Sequence, residues 1–296
     1  MKRARILHNP KAGDEEHSEH ELIQMVESKG FKVEYCSIKE PGWEKLNRKL
    51  DFLIIAGGDG TIRKVTKRLL DRKLSDKRFP LALLPLGTAN NLANTLGVIN
   101  KPHNLITWQH SSRKSFDVGL IYGLKDVRFF LEGLGYGVFP SLMSKMKQVD
   151  KKMSDAPEEK LAMALKILKE VVTEYEPDLF EMEVDGVAHT GKYLLIEIMN
   201  TQSIGPNLIL SPDADPGDGR FELIAIPESD REQLLNYIES KINGDEIEND
   251  FKRIICRNIK IKGDCNRLHV DDELIKLDKP AEIEIQLQDR LLEFLI

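Results

Sequence analysis

The chain has 296 residues, enough for two domains, and its 41% apolar and 31% charged residues are ordinary for a soluble globular protein. Its formal net charge of −6 excludes the basic composition that nucleic-acid binding usually requires. The sequence lacks both an apolar signal-peptide segment near its start and any run of the ~18 apolar residues that a transmembrane helix needs.

The first part of the chain predicts strands that alternate with helices. Strands are expected at residues 4–7, 31–38, 53–56 and 79–84. Helices are expected at residues 20–29, at 43–50 and after residue 61. This alternation implies a parallel sheet with helices on both of its faces.

The most informative turn follows the strand at residues 53–56. It consists of Gly57, Gly58, Asp59, Gly60 and Thr61. Glycines at a sharp strand-to-helix turn let a ligand approach the backbone, and the N–H groups at a helix start suit a phosphate group. A tight connection without a ligand is the alternative. The run resembles the signature of the diacylglycerol kinase and sphingosine kinase catalytic domain, whose turn is shared with NAD kinases.

Two further turns extend this resemblance. The first strand ends in a polar turn that contains Asn9, Pro10 and Lys11, and the family has a nucleotide-contacting Asn-Pro-x-x-Gly turn there. The strand at residues 79–84 leads into a segment that resembles the family's Gly-Thr-x-Asn-Asp-x-x-Arg run. The matching residues, for which the resemblance implies nucleotide binding, are Gly87, Thr88 and Asn90.

Some positions of this second segment depart from the family. Asn91 stands where the family usually has Asp, and Asn94 where it usually has Arg. That Asp is associated with the acceptor side, so the departures concern the lipid and not the nucleotide. Locally, Thr88 predicts the N-cap and Gly97 the end of one short helix.

After about residue 125 the pattern becomes mostly β. Helices are predicted over residues 141–153, 155–172 and 230–242, and a glycine-rich turn near residues 133–137. A hairpin with a type I′ turn is expected at Asp185 and Gly186. Short strands are predicted at residues 180–184, 187–189, 193–199, 220–226, 259–262, 268–270, 274–277 and 281–287. The pattern indicates an antiparallel sandwich with one or two helices.

An acidic loop at residues 211–220 carries three aspartates in six residues. Oxygen ligands at short spacing suit Mg²⁺ or Ca²⁺, although a surface turn would show the same composition. The loop resembles a family segment that holds a structural Mg²⁺ in some bacterial members. The resemblance implies that the carboxylates of Asp215 and Asp218 and the backbone carbonyl of Arg220 are metal ligands.

The last motif runs from His269 to Leu274 and contains Asp271, Asp272 and Glu273. By itself it is compatible with an acidic surface turn. It resembles the family's Val-Asp-Gly-Glu, which supplies the acid that takes the proton of the acceptor hydroxyl. The resemblance implies Glu273 as the general base, Asp271 as second choice, and Asp272 in place of the glycine. Asp59 is expected to orient the metal or the phosphates.

Together the motifs predict an α/β chain of two domains that face each other across a cleft. Residues 1–124 and 289–296 would form a Rossmann-like nucleotide-binding domain, similar to NAD kinases and diacylglycerol kinases. Residues 125–288 would form an antiparallel β-sandwich that holds substrate and metal.

The resemblance implies an ATP-dependent lipid kinase that uses ATP and Mg²⁺. Its lipid substrate, a diacylglycerol or a sphingoid-like acceptor, would be met at a membrane surface, without a transmembrane segment and without nucleic acid. Three separated cysteines are typical of a reducing cytoplasm, so we expect a cytoplasmic protein, peripheral at the inner membrane surface. Lysines near residues 145–152 could aid docking. A homodimer is one option for the assembly. An NAD kinase-like enzyme and a catalytically weak lipid- or nucleotide-binding relative are the alternatives.

Overall fold

The computed structural model describes residues 1–12, 17–72, 77–87, 89–98, 108, 112–149, 157–245 and 247–296. The chain folds into two compact units. The first comprises Met1–Phe116 and Arg290–Ile296, and the second comprises Asp117–Asp289. The chain leaves the first unit inside the strand Arg113–Tyr122 and returns inside the strand Glu282–Leu295, so both boundaries fall within strands. The boundary expected from the sequence, residue 124, lies just after the strand Arg113–Tyr122, because the pattern of strands and helices changes there. Such a change cannot reveal a boundary that lies inside a strand.

The first unit is built on a parallel sheet. Its elements are β1 (Arg3–His8), α1 (Glu19–Glu27), β2 (Lys32–Ser37), β3 (Phe52–Gly57), α2 (Asp59–Leu70), β4 (Leu81–Pro85), α3 (Asn91–Thr95) and the first residues of β5 (Arg113–Tyr122). The strands lie in the order β4-β3-β1-β2, all parallel. Phe294, near the end of the last strand, pairs in parallel with Leu81. All six residues of β3 are buried, as is usual for a central parallel strand.

One predicted helix, at residues 43–50, is wrong. The segment forms turns, and Trp43 and Leu50 anchor it in the interior. The Asn47 side chain accepts a hydrogen bond from the N–H of Lys49 at 3.0 Å, which favours a local turn over a helix.

The second unit contains the rest of the chain. Its elements are the last residues of β5, then β6 (Phe129–Phe130), β7 (Gly133–Gly137), α4 (Val138–Val149), α5 (Pro157–Glu174), β8 (Asp178–Val184), β9 (Val187–Met199), β10 (Ser203–Ile204), β11 (Leu208–Ile209), β12 (Phe221–Pro227), α6 (Arg231–Asn243), β13 (Arg253–Cys256), β14 (Asn258–Gly263), β15 (Arg267–Val270), β16 (Glu273–Lys276) and most of β17 (Glu282–Leu295).

The long strands of this unit pair antiparallel in the order β16-β15-β7-β9-β8-β14-β17, and β12 joins β9 to β13. Along β9, Ile196 and Ile198 belong to a buried cluster made of strand residues. Leu195 and Met199, on the opposite face, belong to a cluster shared with α4, α5 and α6. The described part of this unit carries three α-helices, close to the three helical segments that the sequence predicted at residues 141–153, 155–172 and 230–242.

Two turn predictions have opposite outcomes. Asp185 and Gly186 have φ values of 46° and 84°, as the predicted type I′ turn requires. The expected glycine-rich turn at residues 133–137 is wrong, because these residues form the buried strand β7 between β9 and β15.

Candidate active site

The turns after β1, β3 and β4 meet at the carboxyl ends of neighbouring parallel strands. The N–H of Asn9 donates to the carbonyl of Ala56 at 2.9 Å, and the Asn9 side-chain amide donates to the Thr61 hydroxyl at 3.1 Å. The N–H of Leu86 donates to the carbonyl of Gly57 at 3.1 Å. The three predicted nucleotide-binding turns therefore lie side by side at the carboxyl-terminal edge of the parallel sheet, which is where open α/β sheets bind ligands.

Gly58 and Gly87 touch each other where the second and third turns meet. A Cβ atom on Gly87 would lie 2.5 Å from the Cα of Gly58, and one on Gly58 would lie 2.9 Å from the Cα of Gly87. A Cβ on Gly57 would lie 2.4 Å from the Thr61 hydroxyl oxygen. Glycine is therefore required by close packing at all three positions.

Asp59 joins the two helix starts. Its carboxylate accepts hydrogen bonds from the N–H groups of Asn91 at 3.0 Å and Leu92 at 3.2 Å, and so caps α3. The sequence predicted instead that Asp59 orients phosphates or metal. The structure adds a role that the sequence did not predict, which is to hold the start of α3 beside that of α2.

Asn90 fixes the turn that precedes α3. It has a φ of 51°, which asparagine tolerates better than most residues, and it is the N-cap residue of α3. Its side chain accepts from the N–H of Gly87 at 3.0 Å and donates to the carbonyl of Gly87 at 2.6 Å. The N-cap therefore lies two residues after the predicted N-cap Thr88, which is outside the described residues.

The start of α2 offers backbone donors for an anion. Its N-cap is Gly58, and the cap makes no side-chain hydrogen bond in the described structure. Gly60, in the first turn, is exposed. Pro10 and Lys11 are also exposed, and the N–H of Lys11 lies 3.3 Å from the Asn9 amide oxygen. N–H groups at a helix start, a lysine and a helix dipole together form an arrangement that can bind phosphate.

The predicted metal loop of the second unit is held by its own carboxylates. Asp215 accepts from the N–H of Gly217 at 3.0 Å, and Asp218 accepts from the N–H of Arg220 at 3.0 Å. The N–H of Asp218 donates to the carbonyl of Asp215 at 3.1 Å. These bonds bring both predicted carboxylate ligands into one short turn.

Two acidic residues near this loop were missed in the sequence. Buried Asp117 accepts from the N–H of Gly219 at 2.7 Å. Burial and the charge of Asp218 raise the pKa of Glu222 to about 7. Both residues could have been found from the sequence, because each is the one acidic residue of an otherwise largely apolar strand.

The donors of this loop are of the right chemical kind for Mg²⁺. Carboxylate and carbonyl oxygens are its usual protein ligands, and water commonly completes its coordination. Among the described residues, however, no three His, Cys, Asp or Glu side chains gather around one cation position. The set of Asp215, Asp218 and the Arg220 carbonyl therefore stays a prediction.

The turn between β15 and β16 holds the predicted base. The carboxylate of Asp271 is buried and accepts from the N–H groups of Leu131 at 3.0 Å, Glu132 at 2.8 Å and Gly133 at 3.3 Å. This geometry gives Asp271 a role in fixing the turn, whereas Glu273, the first residue of β16, is exposed. Of the two predicted bases, only Glu273 therefore has a side chain that is open to a substrate.

Asp272 replaces a glycine of the family motif, so its backbone conformation shows whether the turn needs glycine. The left-handed residue of the turn is Asp271, with a φ of 52°, and Asp272 has no positive φ. The replacement therefore needs no glycine-like backbone conformation.

None of the described helices has the length and apolar character to cross a membrane. The apolar side chains of α4 face inward: Leu142 is buried in the core of the second unit, and Met146 and Val149 pack against it. Lys145 lies 3.5 Å from Glu174. Lys151 and Lys152 lie outside the described residues.

Comparisons with known proteins agree with this architecture. Residues 3–121 match the family described as diacylglycerol kinase catalytic domain, and residues 145–288 match the YegS C-terminal NAD kinase beta sandwich-like domain. A diacylglycerol kinase of Bacillus subtilis (strain 168) is 28% identical over 274 residues, which cover 88% of this chain and 86% of that protein.

Two solved structures share the fold. A diacylglycerol kinase from Bacillus anthracis str. Sterne superposes with a TM-score of 0.74 at 22% identity, covering 99% of this chain and 96% of that one. An NAD kinase from Archaeoglobus fulgidus in complex with ATP superposes with a TM-score of 0.52 at 15% identity, covering 99% and 93%. These likenesses confirm the predicted fold class, a parallel α/β unit followed by an antiparallel β-sandwich.

Proposed function

We propose, from the premise that this chain belongs to the diacylglycerol kinase family of lipid kinases, that it transfers the γ-phosphoryl group of ATP to a lipid hydroxyl. The observation that carries the proposal is the joined edge of the first unit, where Gly58 and Gly87 are in contact beside an exposed helix start. Such an edge suits a polyphosphate, and membership of a kinase family suggests that this polyphosphate is ATP.

The nucleotide side of the reaction uses backbone groups of the first unit. The N–H groups at the start of α2 would bind the phosphates, with Asn9 and Lys11 beside them. Asp59 and Asn90 would keep the two glycine turns in register. The fold neighbour from A. fulgidus was solved with ATP, which supports ATP as the donor.

The acceptor side uses the exposed carboxylate of Glu273. It would accept the proton of the lipid hydroxyl while the hydroxyl oxygen forms its bond to the γ-phosphorus and the bond from phosphorus to the β–γ bridging oxygen breaks. ADP leaves with that oxygen, and the proton resides on Glu273. Most of the rate acceleration would come from positioning and from neutralising phosphate charge.

Asp215, Asp218 and the Arg220 carbonyl would hold Mg²⁺ if the loop binds a structural ion. When bound there, the ion would neutralise the carboxylates of the loop and order it. A further Mg²⁺ is expected with ATP as part of the substrate. The proposal includes a peripheral encounter with the cytoplasmic membrane surface, where a lipid acceptor would be available.

The test is a product assay on the full chain. Purified protein is incubated with Mg²⁺ and γ-³²P-labelled ATP in separate reactions that contain vesicles with diacylglycerol, sphingosine or phosphatidylglycerol, or that contain NAD without lipid. A labelled lipid is the expected product, with diacylglycerol preferred because the B. subtilis relative carries that name. Label in NADP alone would favour the NAD kinase-like alternative. ATP binding without any labelled product would favour a non-catalytic relative.

A further inference from the structure

The second unit contains a buried ion pair that the proposed reaction does not use. Glu197 of β9 and His269 of β15 are 0% and 1% exposed. The Nε2 atom of His269 lies 2.8 Å from Oε1 and 3.0 Å from Oε2 of Glu197. The ring of Phe139, from α4, packs edge-on against the imidazole at 6.1 Å. Replacing a buried ion pair by apolar residues often leaves a protein equally stable, so stability alone does not explain why this pair is present.

The two side chains meet across an intervening strand. Gly135 of β7 pairs directly with Glu197 on one side and with His269 on the other. Residues paired directly across neighbouring strands point to the same face, so the two side chains extend over Gly135. A Cβ atom on Gly135 would lie 2.0 Å from Oε2 of Glu197. The glycine-rich sequence of β7 therefore leaves the space in which the pair forms.

The second nitrogen of His269 fixes where the protons are. Its Nδ1 lies 3.0 Å from the backbone carbonyl oxygen of Asp271, which can only accept a hydrogen bond. Nδ1 therefore carries a hydrogen, and one further proton is shared between Nε2 and the Glu197 carboxyl group. Burial opposes charge on both groups and raises the pKa of Glu197, while the contacts of His269 with Glu197 and Asp271 together raise the pKa of the imidazole.

This bond reaches the turn that presents the proposed base. The carbonyl of Asp271 accepts from His269, and its carboxylate accepts from three consecutive N–H groups that begin at Leu131. Val270 and Glu273 are paired where β15 and β16 meet the turn. The backbone that determines the direction of Glu273 is therefore held by His269 on one side and by residues 131–133 on the other.

We propose that His269 is a positioning residue, which holds the turn at residues 271–273 and thereby the Glu273 carboxylate in its working orientation, and that Glu197 contacts the imidazole but not the turn. The catalytic part of this inference rests on the proposed kinase function. The structural part, that the bond from Nδ1 to the Asp271 carbonyl orders the turn, can be measured without turnover.

Two substitutions of His269 separate the turn contact from the pair. In His269→Asn the amide nitrogen lies near the position of Nδ1 and can still donate to the Asp271 carbonyl. In His269→Gln the amide reaches toward Glu197 and the turn contact is lost. Combining His269→Asn with Glu197→Gln removes the buried charge that the single variant would leave unpaired, so this double variant is the matched control.

We expect His269→Gln to lower kcat by ~10²-fold with an unchanged KM for ATP, the size of effect that a misplacement of about 1 Å can have. The double variant should stay within ~3-fold of the wild type, because it keeps the turn contact. Hydrogen exchange followed by mass spectrometry should show faster exchange at residues 270–274 in His269→Gln than in the double variant.

Two results would overturn the inference. One is a folded His269→Gln protein with wild-type kcat and wild-type exchange at the turn. The other is an equal loss of kcat in both variants, which would assign the pair to packing alone. If the wild type phosphorylates no lipid, the proposed function fails, and the exchange comparison still decides whether His269 orders the turn.

Discussion

The substitution Gly135→Ala tests the geometry of the buried pair most severely. Its Cβ would lie 2.0 Å from Oε2, 2.6 Å from Cδ and 2.7 Å from Oε1 of Glu197. Non-bonded carbon atoms prefer separations of about 3.5–4.0 Å, so the carboxylate would have to move by more than ~1 Å. Such a shift breaks its contact with His269, which is only 2.8–3.0 Å long.

The expected cost follows from two effects. Overpacking a core position costs about 1–3 kcal/mol, and breaking a buried ion pair costs about 3–5 kcal/mol. The two overlap, because relief of the clash is what breaks the pair, so we expect a loss of about 3–5 kcal/mol in the free energy of unfolding of the second unit. At about 2–4 °C per kcal/mol for a unit of this size, Tm should fall by about 6–20 °C.

Far-UV circular dichroism can follow this transition, and tryptophan fluorescence shows where the damage lies. Both tryptophans, Trp43 and Trp108, belong to the first unit. Gly191→Ala is the control, because its Cβ would meet only the end of the flexible Tyr193 side chain, at 3.0 Å. A Gly135→Ala protein that unfolds like Gly191→Ala would refute the inferred packing of Glu197 across β7.

Three further predictions concern the first unit. Gly87→Ala should weaken ATP binding by ~5–100-fold in calorimetry, the equivalent of about 1–3 kcal/mol of overpacking, whereas the control Gly191→Ala should not. Equal affinities would contradict the contact between Gly58 and Gly87. Asp59→Ala should lower the free energy of unfolding by about 2 kcal/mol through loss of the α3 cap, and an unchanged urea midpoint would refute that role. Burial lowers the pKa of His8 from 6.5, so the contribution of the neutral imidazole to the free energy of unfolding should be complete above pH 6.5 and should fall as the pH drops below it. His8→Asn should make the free energy of unfolding, followed by tryptophan fluorescence, less dependent on pH in this range. The same pH dependence in both proteins would contradict the assignment to His8.

Local patterns predicted most of the fold. The alternation of strands and helices before residue 100 predicted the parallel sheet, because buried strands and amphipathic helices have different apolar periods. The prediction at residues 133–137 was wrong because glycines usually indicate a turn. In β7, alternate glycines instead leave room for side chains that come from the two neighbouring strands.

The site was predicted only as far as single segments allow. The glycine turns could be found from the sequence, but the contact of Gly58 with Gly87 and the bonds of Asp59 to α3 depend on strand neighbours that no local pattern specifies. Glu197 and His269 are 72 residues apart and meet only through the register of β9, β7 and β15. A single Glu in the apolar run of residues 194–199 was the one available signal.

Single-turnover transfer from labelled ATP to diacylglycerol by Glu273→Gln tests the central proposal most directly. Glu282→Gln, an exposed carboxylate at the start of β17, is the matched control. We expect Glu273→Gln to bind ATP as the wild type does but to transfer phosphate ~10²–10⁴-fold more slowly, while the control is unaffected. Transfer by Glu273→Gln at the wild-type rate would contradict the proposal.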